Sequence, residues 1–157
     1  MTSDKIFSVR LATWQRDAAR LSPVRLQVFV VEQNVPAEIE MDALDPECVH
    51  VIAEDAAGRV IGTGRLMPAE NTAAQVSRIG RMAVYADWRS KGVGAALLQA
   101  LVDEAKRRGD RQVVLHAQTH AERFYTRHGF VREGEVYEEA GIAHINMRRT
   151  LSENLDV

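Results

Sequence analysis

The segment Arg89-Ser90-Lys91-Gly92-Val93-Gly94 puts two glycines and two cations where an apolar, strand-like run gives way to a helical pattern. Glycines at such a junction let the backbone come close to a ligand. The first-turn N–H groups of the next helix, those of Val93, Gly94 and Ala95, have no partner inside it and point beyond its end. With the positive end of the helix dipole and the side chains of Arg89 and Lys91 beside them, these groups suit a phosphate or pyrophosphate. A tight strand-to-helix turn without a ligand fits the same letters equally well. Two better-defined phosphate motifs do not. A single residue separates Gly92 from Gly94 and no Gly-Lys-Ser/Thr comes after it, so the turn is not a P-loop. Leu97 stands where the dinucleotide fingerprint needs its third glycine.

Other chemistry-bearing residues are less ordered in sequence. The stretch from Glu32 to Glu47 carries Glu32, Glu38, Glu40, Asp42, Asp45 and Glu47 together with two prolines, and predicts a loop. Carboxylates lining a cleft attract a cationic amine and can accept its proton, although a solvated acidic loop is the plainer reading of any one of them. His116 and His120 are four positions apart, a metal-friendly spacing on a helix. They straddle a predicted strand-to-helix junction and lack the glutamate of the zinc-protease pattern, so no metal site is expected. Cys48 is the one cysteine; it reads as a small buried hydrophobe in a reducing compartment.

The elements that must position these residues emerge from hydrophobic periodicity. Phe7 to Leu11 alternates as a strand, and Asp17 to Val31 has helical spacing interrupted at Ser22-Pro23, which predicts two short helices or one broken one. Val49 to Glu54 and Val60 to Met67 read as a hairpin around Ala56-Ala57-Gly58. Ile79 to Tyr85 is a central strand leading into the glycine turn, and Val93 to Arg107 is a helix that Gly109 ends. Val113 to Ala117 predicts a strand and His120 to His128 a short helix. Val131 to Tyr137 and Ala143 to Arg149 close the chain as a hairpin turned near Glu139-Ala140-Gly141. The sum is an α/β fold, a mixed sheet with helices on both faces.

Bulk properties set the outer bounds. The 157 residues suit one domain, 1–157, without repeats or linkers. A formal net charge of -2 gives no drive toward nucleic acid, and no apolar run is long enough to span a membrane. Met1-Thr2-Ser3-Asp4-Lys5 lacks the marks of an export signal, so a cytoplasmic location is expected.

The glycine turn resembles the Gln/Arg-x-x-Gly-x-Gly/Ala signature of the GNAT superfamily of N-acetyltransferases, placed as in that family between a strand and a long helix. Downstream the family has an Asn, an Ala three residues later, an aromatic-Tyr pair and a Gly-Phe. This chain gives Gln118, Ala121, Phe124-Tyr125 and Gly129-Phe130, departing only at Gln118. The resemblance covers most of Val60 to Leu151. Arg25 to Gln33 is more loosely similar to an uncharacterised bacterial subgroup of the family.

The resemblance implies a twisted mixed sheet of about six or seven strands flanked by about four helices. It implies an acyl-CoA N-acyltransferase domain in which a primary amine of a small molecule or peptide attacks acetyl-CoA directly, with no acylated enzyme. Arg89 to Ala95 would hold the pyrophosphate, and Met82, Ala83 and Val84 would pair with the pantetheine amides, one of their N–H groups polarising the thioester carbonyl. Gln118 would bond the pantetheine arm, and Tyr125 would stand near the departing sulfur, unless it is only a core aromatic beside Phe124. Many relatives carry a glutamate base on the strand before the turn, where this chain has Arg78, Gly80 and Arg81. Glu32 leads the substitutes, with Glu40, Asp42 and Asp45 behind it, and base function through water alone stays open. A non-catalytic acyl-CoA sensor or scaffold of the same fold is the alternative. No nucleic-acid or membrane partner is expected, and a homodimer is neither required nor excluded.

Overall fold

The computed structural model describes residues 6–69 and 74–151; the first five residues, on which the export-signal reading rests, lie outside them. Strands β1 (Phe7–Ala12), β2 (Val49–Asp55), β3 (Val60–Leu66) and β4 (Val76–Val84) form an antiparallel half-sheet. Strand β5 (Gln112–Gln118) joins β4 in parallel, and the hairpin β6 (Val131–Glu139) and β7 (Ile142–Thr150) adds to β5 through β7. The result is one seven-stranded mixed sheet in the order β1-β2-β3-β4-β5-β7-β6, within the expected range.

Helix α1 (Trp14–Arg25) is capped by Thr13, whose hydroxyl accepts from the Arg16 N–H at 3.3 Å. The expected interruption at Ser22-Pro23 does not occur. Pro23 lies inside α1, and the chain continues as a π-helical stretch, Leu26–Glu32. Proline removes one helical donor. Burial of Leu21, Val24 and Val28 against Ile52, Val60 and Ala83 holds the helical path across it. The acidic stretch also departs from its reading as a loop: it contains a short helix, α2 (Ala37–Glu40), and a 3-10 turn, Asp45–Glu47. Arginines that bond Glu40, Asp42 and Asp45 supply the order that propensity did not reveal.

Helix α3 (Val93–Arg107) packs on the opposite face of the sheet from α1, burying Val93, Leu97, Leu98, Leu101, Val102 and Ala105. It approaches β3 closely because Gly64 is bare: a Cβ there would lie 2.7 Å from Met82 Sδ and 3.0 Å from Leu101 Cδ1. A 3-10 turn at Thr119–Ala121 precedes helix α4 (Glu122–Arg127), whose Phe124 and Tyr125 border the same core. None of the helices among the described residues is long and apolar enough to cross a membrane.

Strand β4 is irregular at two places. Its pairing with β5 covers only Val76–Arg78 against Gln112–Val114, so from Ile79 and Leu115 onward the two strands part. Opposite Gly64, β4 carries one residue too many: Thr63 pairs with Ala83 but Arg65 with Gly80, leaving Arg81 and Met82 in a bulge, with Arg81 at φ 53°. A bulge frees backbone groups from the ladder, and a left-handed arginine costs about 1 kcal/mol or more.

Candidate active site

A cavity of about 400 Å³ runs through the sheet where β4 and β5 diverge. Gly94, Phe124 and Tyr125 line it from the α3/α4 side, Ile79 to Val84 together with Leu115 and Gln118 form its walls, and Val28, Phe29, Ile39, His116, Glu139 and His144 line the other side. Strand alternation explains the division. Leu115 and Ala117 turn into the α3-side core, so His116 and Gln118 point the opposite way. Arg78 pairs in register with Val114 and therefore shares that face.

At one end of the cavity lies the glycine turn. Ser90 and Gly92 adopt φ 64° and 88°, and no side chain caps the first turn of α3. A helix N-terminus left bare in this way fits an anionic ligand group. Of the residues assigned to cofactor binding, Met82, Ala83, Val84, Arg89, Gly94 and Gln118 line the cavity, whereas Ser90, Lys91, Gly92, Val93 and Ala95 lie outside its lining. The Val93 side chain is buried in the core, so only its backbone is available to a ligand. Arg89 is not a free cation. Its guanidinium donates to Glu32 at 2.8 and 3.1 Å and to the Val84 carbonyl at 2.8 Å.

Tyr125 faces the cavity with its ring edge-on to Phe124 and Phe130, at centroid separations of 5.0 and 6.0 Å. Its hydroxyl has no hydrogen-bond partner among the described residues, and burial pushes it up to about 12, which keeps it protonated. Gln118 is engaged on both sides: its amide donates to Gln33 Oε1 at 2.8 Å, and its oxygen accepts from His120 Nε2 at 2.7 Å. Bonding to a pantetheine arm would require exchange of one of these contacts.

The carboxylates nominated from sequence are all ion-paired. Glu32 is held by Arg89 and does not line the cavity. Glu40 lines it, but its carboxylate accepts from Arg25 Nε at 2.5 Å. Asp45 takes both terminal nitrogens of Arg25, at 2.9 and 3.0 Å, and a third bond from Arg65 at 2.8 Å. Asp42 is chelated by Arg65 at 2.7 and 2.9 Å and bonded by Arg81 at 3.2 Å. The Arg65 hydrogen bonds, outweighing burial, hold Asp42 at about 2. Arg25, Glu40, Asp45 and Arg65 are each at most 4% exposed. These groups form a buried structural lattice that ties α1, α2 and the sheet together; burial works against the Asp45 charge, but the bonds from Arg25 and Arg65 hold its carboxyl below the ordinary value, which makes it a poor proton acceptor.

A pair that sequence reasoning missed stands in the cavity instead. His116 Nδ1 lies 3.1 Å from Glu139 Oε1. A carboxylate only accepts, so Nδ1 carries the proton and Nε2 is left with an open lone pair and no partner among the described residues. Burial first, and then the Arg78 charge, holds the His116 ring below the usual imidazole value despite the Glu139 bond. The imidazole is thus neutral at pH 7 and oriented by a carboxylate, the arrangement a general base requires. Sequence spacing had paired His116 with His120, which instead bonds Gln118. The one clue available was parity, since His116 is two positions before Gln118 on the same strand face.

Comparison with known proteins places the fold in a family. The profile of the family described as Acetyltransferase (GNAT) domain matches residues 17–151. The Bacillus subtilis (strain 168) protein named Uncharacterized N-acetyltransferase YjcF is 37% identical over 127 residues, spanning 80% of this chain and 87% of its own. Among solved structures, an acyl-CoA N-acyltransferase from Pseudomonas aeruginosa superimposes with a TM-score of 0.80 at 32% identity, covering 92% of this chain and 99% of that one. Escherichia coli ElaA gives a TM-score of 0.81 at 28% identity, with coverage of 92% and 99%. The chain belongs to the GNAT acetyltransferase family.

Proposed function

We propose that the protein transfers an acetyl group from acetyl-CoA to a primary amine of a small molecule or peptide by direct attack. The observation that carries this reading is the cavity through the parted strands, with the uncapped N-terminus of α3 at one side and the His116–Glu139 pair on the other. The bare first turn of α3 and Lys91 hold the diphosphate, and the free edge of β4 at Met82, Ala83 and Val84 takes the pantetheine amides. Backbone N–H groups at the β4 bulge polarise the thioester carbonyl. His116 Nε2, rather than Glu32, accepts the proton of the attacking amine as the N–C bond forms. Tyr125 donates its proton to the sulfur as the C–S bond breaks.

The sensor reading rested on the absence of a strand glutamate, a gap that His116 and Glu139 fill. The deciding experiment combines calorimetry of CoA and acetyl-CoA with thiol release across a panel of amines. Acetyl-CoA binding with release for at least one amine is expected. Tight binding without release for any amine would favour the sensor, and absence of heat from both ligands at millimolar concentration would overturn the proposal.

A further inference from the structure

Three arginines line the cavity, and two of them are occupied. Arg81 donates to the Ile39 and Glu40 carbonyls and to Asp42, and Arg89 to Glu32 and the Val84 carbonyl. The third, Arg78, is half-buried, and its guanidinium has no hydrogen bond or ion pair among the described residues. A half-buried cation with no paired carboxylate is a cost that a bound anion would offset. It is not there to bind the diphosphate: Arg78 is on the sheet face away from α3 and its glycine turn.

We propose that the acetyl acceptor is an amine that also carries a carboxylate, and that Arg78 receives this carboxylate while the amine faces His116. This rests on the transferase reading and deepens it. Arg78 sits in the last hydrogen-bonded register position before β4 and β5 part, opposite Val114, and His116 is two residues beyond Val114 on the same face. Gly80, two residues beyond Arg78 on β4, contributes no side chain, and a Cβ there would meet nothing within 4 Å, so the cavity that Arg78 and His116 both line is open at that point. Arg78 and Val114 lie about 5 Å apart across the strands and His116 is about 7 Å further along β5, a backbone separation that suits a small amino acid or a peptide end group held between the two side chains. Glu139 completes the complementarity by offering a negative charge to the ammonium form that arrives, beside the base that deprotonates it. A single guanidinium and a neighbouring carboxylate favour a monoanion over a phosphate dianion.

The test uses the full chain with acetyl-CoA and matched sets of amino acids, the corresponding amides and the corresponding aminophosphonates, read by thiol release. The expected result is a kcat/KM for the carboxylates about 10-fold or more above the amides, a preference abolished in Arg78→Met and partly kept in Arg78→Lys, with unchanged acetyl-CoA affinity. Amides that react as well as the acids, phosphonates that exceed them, or an acid preference that survives in Arg78→Met would overturn the inference while leaving the transferase intact. Should no compound release thiol, calorimetry of the same sets on CoA-loaded protein reads the same contrast and decides Arg78 by itself. Absence of any heat from acetyl-CoA is the separate result that removes the transferase reading, and the carboxylate inference with it.

Discussion

His116 on β5 and Glu139 at the end of β6 lie 3.1 Å apart, Nδ1 to Oε1, reaching past β7, which runs between their strands. This contact fixes the tautomer that leaves Nε2 open, and the role proposed for it can be measured. His116→Gln should lower kcat about 100-fold while calorimetry finds acetyl-CoA affinity unchanged. Glu139→Gln should have a smaller effect, since it disturbs orientation but leaves the ring. Equal loss of cofactor affinity in His116→Gln would place His116 in binding rather than proton transfer.

The same pair predicts a pH profile. The groups that act on the His116 ring are Arg78 on β4, Glu139 on β6 and His144 on β7; burial, Arg78 and His144 lower it, and Glu139 raises it. A base works when unprotonated, so kcat should fall as pH drops through a value below that of an ordinary imidazole. Arg78→Met removes a lowering charge and should move that acidic limb upward. A limb that stays in place would uncouple Arg78 from the ring.

Tyr125 is expected to act from the protonated side. With its hydroxyl at about 12, activity should show no loss attributable to Tyr125 between neutrality and pH ~10. Tyr125→Phe should reduce kcat about 10-fold or more at constant acetyl-CoA affinity. An unchanged kcat would leave the tyrosine as a core aromatic.

The two glycines of the turn should behave differently. Gly92 adopts φ 88°, so Gly92→Ala should lose about 1 kcal/mol of stability in denaturant unfolding and weaken CoA binding. A Cβ on Gly94 would meet only Phe124, at 3.6 Å and in ordinary contact. Gly94→Ala should therefore fold with wild-type stability, and any loss in that variant should show up in the KM for acetyl-CoA.

The buried ion lattice makes an acid-stability prediction. Asp42 is held at about 2, below the ordinary value near 3.9 that it regains on unfolding. A depressed carboxylate contributes stability that is complete above the unfolded value and disappears as pH falls through the folded one. The difference in urea midpoint between wild type and Asp42→Asn should be full near neutrality and close from about pH 4 toward pH 2. Arg25→Met, which takes the hydrogen-bonded arginine from Glu40 and two of three arginine bonds from Asp45, should cost about 3 kcal/mol at neutral pH. A variant as stable as the wild type would show the lattice to be dispensable.

The letters alone determined the features whose causes are local. Glycine at 92, the helical period from Val93 to Arg107 and the alternation of β5 are set within a few residues, so the turn, helix and strand were readable along with the family they resemble. Tertiary structure decided whatever depends on pairing across the chain. Spacing exposed Glu32, Glu40, Asp42 and Asp45 as acidic but could not show that Arg89, Arg25, Arg65 and Arg81 neutralise them from as far as 57 positions away. It likewise showed His116 without Glu139, 23 positions on, because only the insertion of β7 between β5 and β6 brings that carboxylate to the ring. The protonation state of a side chain belongs to its neighbours in space, and those neighbours exist only once the sheet has assembled.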